Sequence, residues 1–259
     1  MKKTFTLLFG FIFLNLSFAQ NAEELNNQSK ELLSKRDYEK ALPLLRKAAE
    51  LGNAEAQYNL GYFLQNGVGI DKNEIEAFQW YKKSSENGFN DGHYAMMMAY
   101  GNGIGTEINN EKAFEYALKC AENNDATCMW NIVNCYKQGL GVTKNSSKML
   151  EWATKLALLE NPENLNLSGN ITSMRLSLAQ MYRDGDSIEK DNYKSYLWYL
   201  IFNEFKKDFS ISQQQQIIEE IKLAETKLSE NQLKSSKQDA EKIFKRKLNN
   251  FENLYKADF

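Results

Sequence analysis

The chain has 259 residues, with 34 acidic and 32 basic side chains, so its formal charge is −2 when the single histidine is neutral. This balance gives no reason to expect nucleic acid or an anionic lipid as partner, because both are bound through clustered positive charge. Apolar residues make up 42% of the sequence and only two residues are prolines, a composition that favours long helices.

The N-terminus has the order of a secretory signal peptide. Lys2 and Lys3 form a positive start, residues 5–16 are almost all apolar, and Ser17 and Ala19 occupy the small-residue positions of a cleavage site. We expect cleavage after Ala19, and a mature protein that is secreted or periplasmic and has no integral membrane segment. The alternative is an uncleaved anchor, but the apolar stretch is shorter than the roughly 20 residues of a membrane span.

A repeat with a period of 36 residues runs through the middle of the chain. At this shift two sets of glycines and two sets of aromatic residues superpose: Gly67, Gly103 and Gly139; Gly69, Gly105 and Gly141; Tyr58, Tyr94 and Trp130; Trp80, Tyr116 and Trp152. A further shift of 46 residues reaches another copy, with the ten extra residues in the segment 160–169. A fixed period of roughly 20–50 residues is typical of a solenoid of stacked units.

Each copy reads as two helices joined by a glycine turn. In the first complete copy, Leu60, Phe63 and Leu64 have helical spacing, and Gly67 ends the helix because glycine tolerates the left-handed conformation. The second helix follows an Asn or Asp that recurs in five copies and is expected to accept a hydrogen bond from a free backbone N–H. These N-caps are Asp37, Asn73, Asn109, Asn145 and Asp191. Asn73 with Glu76 also fits a capping box.

The glycine turn follows a helix rather than a strand and lacks a Lys-Ser/Thr pair, so we predict a structural turn and not a phosphate loop. The repeats predict an all-α fold of about ten to twelve antiparallel paired helices without a sheet.

The segment "AEAQYNLGYFLQNGVGIDKNEIEAFQWYKKSSENG" (54–88) resembles a Sel-1-like repeat, a relative of the tetratricopeptide repeat. The Leu60-Gly61 pair, the Gly-Val-Gly turn and the Ala-x-x-Trp-Tyr core carry the resemblance, which extends over 37–203. In the next two copies Met96-Met97 and Ile132-Val133 replace the Leu-Gly pair. The resemblance implies a right-handed α-solenoid and an adaptor that assembles complexes, often at cell envelopes or in the secretory path.

The domain organisation predicted from these patterns is a signal peptide over 1–19, a solenoid of about four to five units over 20–209 and a helical C-terminal cap over 210–259. In the cap, one helix is expected over 211–228, and Ser229 begins another that runs to about residue 251. The alternative is a short coiled coil that dimerises the protein. The segment 160–169 has no counterpart in other units and is predicted to be an exposed loop.

Three cysteines stand close together in the sequence. Cys120 ends a second helix and Cys128 begins the next first helix, which places them across the joint of an antiparallel pair. In an oxidising compartment we expect them to form a disulfide. Cys135 lies two helical turns from Cys128, too far to bridge it, and is predicted to be a small buried side chain.

The sequence offers little evidence of catalysis. His93 is the only histidine, and it is expected to be a surface residue, because metal sites usually need a cluster of ligands. We predict no enzyme activity, no cofactor and no metal. The cysteine spacing is similar to that of cysteine-rich Sel-1-like proteins, some of which bind or slowly hydrolyse penicillins. A penicillin-binding or β-lactamase-like enzyme is therefore the alternative function.

The preferred function is binding of a protein or peptide on the concave face, which the first helices line in tetratricopeptide relatives. Helical spacing predicts a stripe beside the core on these helices. Its candidate partner-binding residues are Tyr58, Tyr62, Tyr94, Met98, Trp130, Asn134, Lys137, Gln180 and Arg183. Tyr, Trp and Arg often dominate binding energy. The alternative is that the aromatic residues pack between neighbouring repeats.

Overall fold

The structure, a computed structural model, describes residues 21–162 and 165–257. The predicted signal peptide lies outside the described residues. Within them there are twelve α-helices and no strand, which confirms the all-α prediction. The chain divides into two compact units between Asn123 and Asn124. No helix in the described part of the chain is long and apolar enough to cross a membrane.

Unit 1 contains the first six helices, which pack in sequence order. They are α1 (21–34), α2 (Tyr38–Glu50), α3 (Ala54–Asn66), α4 (Glu74–Glu86), α5 (Asn90–Asn102) and α6 (Asn110–Glu122). The hydroxyl of Ser84, near the end of α4, donates to the carbonyl of Ala54 at the start of α3, at 2.7 Å. At the other end, the N–H of Asn73 donates to the carbonyl of Leu64 at 2.8 Å. Helices α3 and α4 are therefore antiparallel, as predicted.

Unit 2 contains the remaining six helices and two short 3-10 turns. They are α7 (Ala126–Gln138), α8 (Ser146–Ala157), α9 (Leu165–Asp184), α10 (Asn192–Asn203), the turn Lys206–Asp208, α11 (Ile211–Glu225), α12 (Glu230–Phe244) and the turn Phe251–Asn253. The prediction that the last helix runs to about residue 251 is wrong. Lys245 adopts a left-handed conformation and ends α12.

All five predicted N-caps are confirmed, because each side chain accepts a hydrogen bond from the backbone N–H three residues later. The capping box at Asn73 forms only in part. Asn73 accepts from the N–H of Glu76 at 3.0 Å, but the carboxylate of Glu76 turns away to Arg46 and Trp80. Ser229 and Gln232 form a complete capping box at the start of α12.

Two glycines allow close approach between helices. A Cβ atom at Gly61 would lie 2.7 Å from the ring of Tyr81, so the Leu-Gly pair brings α3 against α4, as the resemblance implies. A Cβ at Gly105 would lie 2.0 Å from the carbonyl oxygen of Glu74, at the start of α4. The second glycine of the turn therefore has a packing role in addition to its positive φ angle.

The prediction that residues 160–169 form an exposed loop holds at 160–162, where Glu160 and Pro162 are exposed, but is wrong from Leu165 onward; residues 163 and 164 lie outside the described residues. Helix α9 begins at Leu165, and Ser168 is buried. The carboxylate of Asp208 accepts hydrogen bonds from the hydroxyls of Ser168 and Thr172 and from the amide of Asn161. Asn161, Ser168 and Thr172 face inward because the carboxylate of Asp208, in the 3-10 turn, accepts their hydrogen bonds.

A fully buried arginine closes this network. Arg175 donates to the carbonyls of Ala157 and Leu159, both at 2.8 Å, and to the side-chain oxygen of Asn161 at 2.5 Å. Its guanidinium also lies 4.2 Å from the ring centroid of Phe205. Burial lowers the pKa of Arg175 to about 9, which leaves it charged at neutral pH.

The last two helices are fixed to α10 by hydrogen bonds from three tyrosines. Each hydroxyl donates to a carboxylate: Tyr193 to Asp239 at 2.7 Å, Tyr196 to Glu225 at 2.5 Å and Tyr199 to Glu220 at 2.7 Å. The apolar side of α11 is buried at Ile217, Ile218 and Ile221. This face is used within unit 2, so it is not presented to a second chain as the coiled-coil alternative would require.

Candidate functional site

In unit 1 the predicted binding residues Tyr58 and Tyr62 lie on α3, and Tyr94 and Met98 lie on α5. Tyr62 is the most open of these, with an exposed fraction of 48%. The other three are half-buried. The surface in this unit is therefore aromatic, and only Tyr62 is largely open to solvent.

Tyr58 takes part in packing as well as in this surface. Its ring centroid lies 5.8 Å from that of Tyr81 on α4 and 5.8 Å from that of Phe89, which precedes α5. Burial raises the pKa of the Tyr58 phenol, and the neighbouring Asp91 adds to the increase. Tyr58 therefore links one helix pair to the next, which supports the packing alternative at this position. Phe89 belongs to this aromatic group but was not among the predicted residues.

In unit 2 a pocket of about 270 Å³ opens between α7 and the C-terminal half of α9. It is called the Trp130 pocket below. Its lining consists of Trp130, Val133, Asn134, Lys137, Met174, Ser177, Gln180, Met181, Asp184 and Asp186. Four of the predicted binding residues, Trp130, Asn134, Lys137 and Gln180, are brought together here. Part of the predicted stripe therefore lines a pocket in unit 2.

The interior of the Trp130 pocket is apolar. Val133, Met174 and Met181 are each less than 8% exposed, and Trp130 is half-buried. Methionine side chains adapt to irregular shapes because they are unbranched and flexible. Met174, Ser177 and Met181 were not among the predicted binding residues, although their spacing along α9 is that of one helix face.

The mouth of the pocket carries charged side chains in defined pairs. Lys137 Nζ lies 2.6 Å from Asp186 Oδ2, and this hydrogen bond lowers the pKa of Asp186. Arg183 binds both carboxylate oxygens of Asp184 at 2.7 Å, which lowers the pKa of that carboxyl. Both aspartates therefore remain ionised at pH values below those at which a carboxyl group usually becomes protonated.

Arg183 is directed toward the C-terminal helices rather than into the pocket. Its Nη1 atom donates to Glu220 at 2.6 Å and to the hydroxyl of Tyr199 at 3.2 Å. Gln180 lines the pocket, but its amide also donates to Glu220 at 3.2 Å. Hydrogen bonding to Asp184 is the largest cause of the raised pKa of Arg183. The prediction that Arg183 faces a partner must be corrected, because α11 supplies its counter-ion.

Two polar side chains of the pocket are left without an internal partner. Within residues 21–162 and 165–257, the amide of Asn134 and the hydroxyl of Ser177 make no hydrogen bond to the protein. Both groups can donate and accept. A ligand in this pocket would therefore meet unused hydrogen-bonding capacity beside an apolar interior.

A family model described as the Sel1 repeat matches residues 31–53, 54–89, 92–125, 128–161 and 174–201, which together make up more than half of the chain. The chain belongs to the Sel1 repeat family. Sel1 repeats generally mediate interactions between proteins. The Trp130 pocket lies between the fourth and fifth Sel1 repeats, which contribute its α7 and α9 sides.

One solved structure of a Sel1 repeat protein has the same fold. The chain is similar to a Sel1 repeat protein from Oxalobacter formigenes at 23% identity, covering 75% of this chain and 74% of that one, with a TM-score of 0.62. It is also similar to c5321, a protective antigen of uropathogenic Escherichia coli with an SLR fold, at 23% identity and a TM-score of 0.40. That match covers 85% of this chain and 51% of the antigen. The likeness to the Oxalobacter formigenes protein supports the solenoid fold class.

The cysteines of this Sel1 repeat protein differ in state. Cys120 and Cys128 are joined as a disulfide, so their sulfur atoms cannot act as thiolate ligands for a metal. Cys135 is a free thiol and is half-buried, and burial raises its pKa. A raised pKa lowers the fraction of thiolate, which is the nucleophilic form.

His93 in the third repeat is not the surface residue that was predicted. It is half-buried, and its Nδ1 atom lies 2.7 Å from the hydroxyl oxygen of Ser85. Burial lowers the pKa of His93, and the nearby Lys119 lowers it further. Ser85 is only 5% exposed, which keeps its hydroxyl from a substrate. The pair therefore has the properties of a packing contact between α4 and α5.

Proposed function

We propose that this Sel1 repeat protein is an adaptor that binds a protein or peptide partner through the surface of its first helices. The observation that carries the proposal is the Trp130 pocket. It combines an apolar interior, a half-exposed tryptophan and two polar groups, Asn134 and Ser177, that have no hydrogen-bond partner among the described residues. Aromatic anchors with adjacent polar groups are typical of the centres of protein interfaces.

The size of the pocket favours a peptide side chain over a free small molecule. Its volume of about 270 Å³ is below the range of about 300–1,000 Å³ that is usual for small-molecule sites. One large side chain would occupy it.

We place the adaptor in the periplasm or outside the cell. The support for this comes from the sequence order of residues 1–19, together with a disulfide between Cys120 and Cys128. Disulfides persist mainly in oxidising compartments.

Site-specific photo-crosslinking in the native host tests the proposal. A photoreactive amino acid at Asn134 would lie in the pocket, and the same residue at the exposed Glu151 on α8 is the matched control. We expect a discrete crosslinked product from position 134 that is absent at position 151. Equal product at both positions, or none at either, would contradict binding through this pocket.

The alternative function, a penicillin-processing enzyme, is tested separately with a chromogenic β-lactam. We propose that the protein has no such activity, because Cys135 is half-buried with a raised pKa and Ser85 is buried against His93. Turnover above that of the heat-denatured protein would contradict this part of the proposal.

A further inference from the structure

We infer that the Trp130 pocket binds the side chain of a lysine or arginine, so that the partner presents a basic peptide segment to this Sel1 repeat protein. The inference rests on the proposed adaptor function and specifies the chemistry of the partner. Shape, ring exposure and charge each support it.

The shape of the pocket suits a long aliphatic side chain with a polar end. Val133, Met174 and Met181 form the buried interior, while the charged residues lie at the mouth. Lysine and arginine bury their methylene stems along apolar surface and keep the charged group near solvent. A purely apolar side chain would leave the remaining hydrogen-bonding capacity of Asp184 and Asp186 unused.

The ring of Trp130 has no cation over it among the described residues, unlike three aromatic rings of the second helices. In three repeats a lysine lies over the ring three residues before it: Lys83 over Trp80 at 4.0 Å, Lys119 over Tyr116 at 4.7 Å and Lys155 over Trp152 at 4.8 Å. In the described part of the chain no Lys or Arg lies over Trp130. An incoming cation would supply the contact that the other rings receive from their own helix.

The two carboxylates at the mouth can bind the same occupant. Asp184 and Asp186 are lining residues, and each already has one cationic partner, Arg183 and Lys137 respectively. The side chains of Asp184 and Asp186 are 52% and 53% exposed. Each carboxylate oxygen can accept more than one hydrogen bond, so an added cation can share these groups without displacing Lys137 or Arg183.

The uncharged lining groups would bind the main chain on either side of the basic side chain. The amide of Asn134 can donate to a carbonyl and accept from an N–H, and the hydroxyl of Ser177 can do the same. Neither group is used by the protein in the described residues. This arrangement selects a peptide rather than a free amine.

Selection from a phage library of random peptides tests the inference on the full mature chain. Selected peptides would be synthesised and tested for dependence on Trp130. In those that depend on it, the anchor residue, which is the peptide residue whose side chain enters the pocket, would be replaced by norleucine or glutamate. We expect a Lys or Arg anchor, and we expect norleucine to weaken binding about tenfold, as for a partly desolvated cation–π contact. Glutamate should abolish measurable binding.

Variants of the protein provide the matched controls. Asp184→Asn with Asp186→Asn should reduce the preference for lysine over norleucine about tenfold, whereas Glu189→Gln in the same turn should leave it unchanged. Both aspartates are exposed, so this variant is expected to fold. Trp152→Ala is the control for Trp130→Ala, since Trp152 is also half-buried but lies outside the pocket.

The outcomes separate the two proposals. Peptides that depend on Trp130 but carry an apolar or acidic anchor would overturn the inference and leave the adaptor function standing. A library that yields no peptide dependent on Trp130 would count against both. If Trp130→Ala does not fold, Trp130→Phe and the double aspartate variant give the same comparison.

Discussion

Lys137 on α7 and Asp186 in the turn after α9 form an ion pair of 2.6 Å at the mouth of the Trp130 pocket. The pair joins the fourth Sel1 repeat to the fifth. Both side chains are partly exposed, so solvent screens the interaction and its contribution to stability is small. Its main effect is on the charge that a partner meets.

Replacing Lys137 with methionine should therefore separate binding from stability. We expect the free energy of unfolding to change by less than about 1 kcal/mol. Affinity for a basic peptide should rise severalfold, because Asp186 would lose its counter-ion while Asp184 stays paired with Arg183. Fluorescence anisotropy and urea unfolding measure the two effects, and Lys148→Met, which breaks an exposed pair with Glu151, is the control. A fall in affinity for the basic peptide would be inconsistent with a cation in the pocket.

The buried Arg175 should be far more important to stability than any surface charge. Arg175→Met would leave the carbonyls of Ala157 and Leu159 and the side-chain oxygen of Asn161 without their donor. We expect a loss of about 3–5 kcal/mol, the range found when one partner of a buried charged network is removed. Urea unfolding measures it, with Arg46→Met at a partly exposed ion pair as control. A loss below about 1 kcal/mol would show that the network is dispensable.

His93 should make the protein less stable in mild acid. Because burial lowers its pKa below the ordinary value of 6.5, the folded state binds this proton less readily than the unfolded state. The stabilisation is complete above pH 6.5 and is lost as the pH falls through the lower, folded-state pKa. Lys119 lowers the pKa of His93 further, and Glu122 acts in the opposite direction.

Urea unfolding across this pH range tests the role of His93. The variant His93→Gln should lose less stability between pH 7.5 and pH 5 than the unmodified protein does. Lys119→Gln removes a positive charge that lowers the pKa of His93. The folded-state pKa should then lie closer to its ordinary value, so this variant should also lose less stability in acid than the unmodified protein. An identical pH profile for His93→Gln and the unmodified protein would refute the assignment.

The disulfide between Cys120 and Cys128 should contribute to stability. It closes a short loop, and such a bond typically adds about 2–3 kcal/mol by restricting the unfolded chain. Mass spectrometry of unreduced peptides should find the pair linked and Cys135 free, and the double serine variant should unfold at lower urea than Cys135→Ser. Free thiols at both positions in secreted material would contradict the prediction.

The sequence was most informative where structure is local and repeated. The N-cap at Asn109 and the other four equivalent caps could be predicted because each requires only a side chain and the first turn of the same helix. The helix pairs could also be predicted, because the repeat period shows which residues of successive copies occupy equivalent positions. The candidate residues Trp130, Asn134 and Lys137 came from this register and lie together in one pocket.

Contacts outside the repeat could not be predicted in this way. Arg183 occupies a position equivalent to Lys137, but α11 places Glu220 beside it, and that helix has no counterpart in the repeats. Arg175 and Asp208 come together for a similar reason, because the extra residues of α9 fold onto a turn far along the chain. Register alone carries no information about such long-range partners.

The central claim is that Trp130 is a binding residue rather than a packing residue, and one variant tests it most directly. Thermal melting of Trp130→Ala should be measured beside its affinity for the tightest peptide from the library. We predict nearly unchanged helicity and melting, with a loss of about 2 kcal/mol or more in binding free energy. A variant that loses about 3–5 kcal/mol of stability, as a core aromatic would, yet binds the peptide normally once folded, would contradict the account.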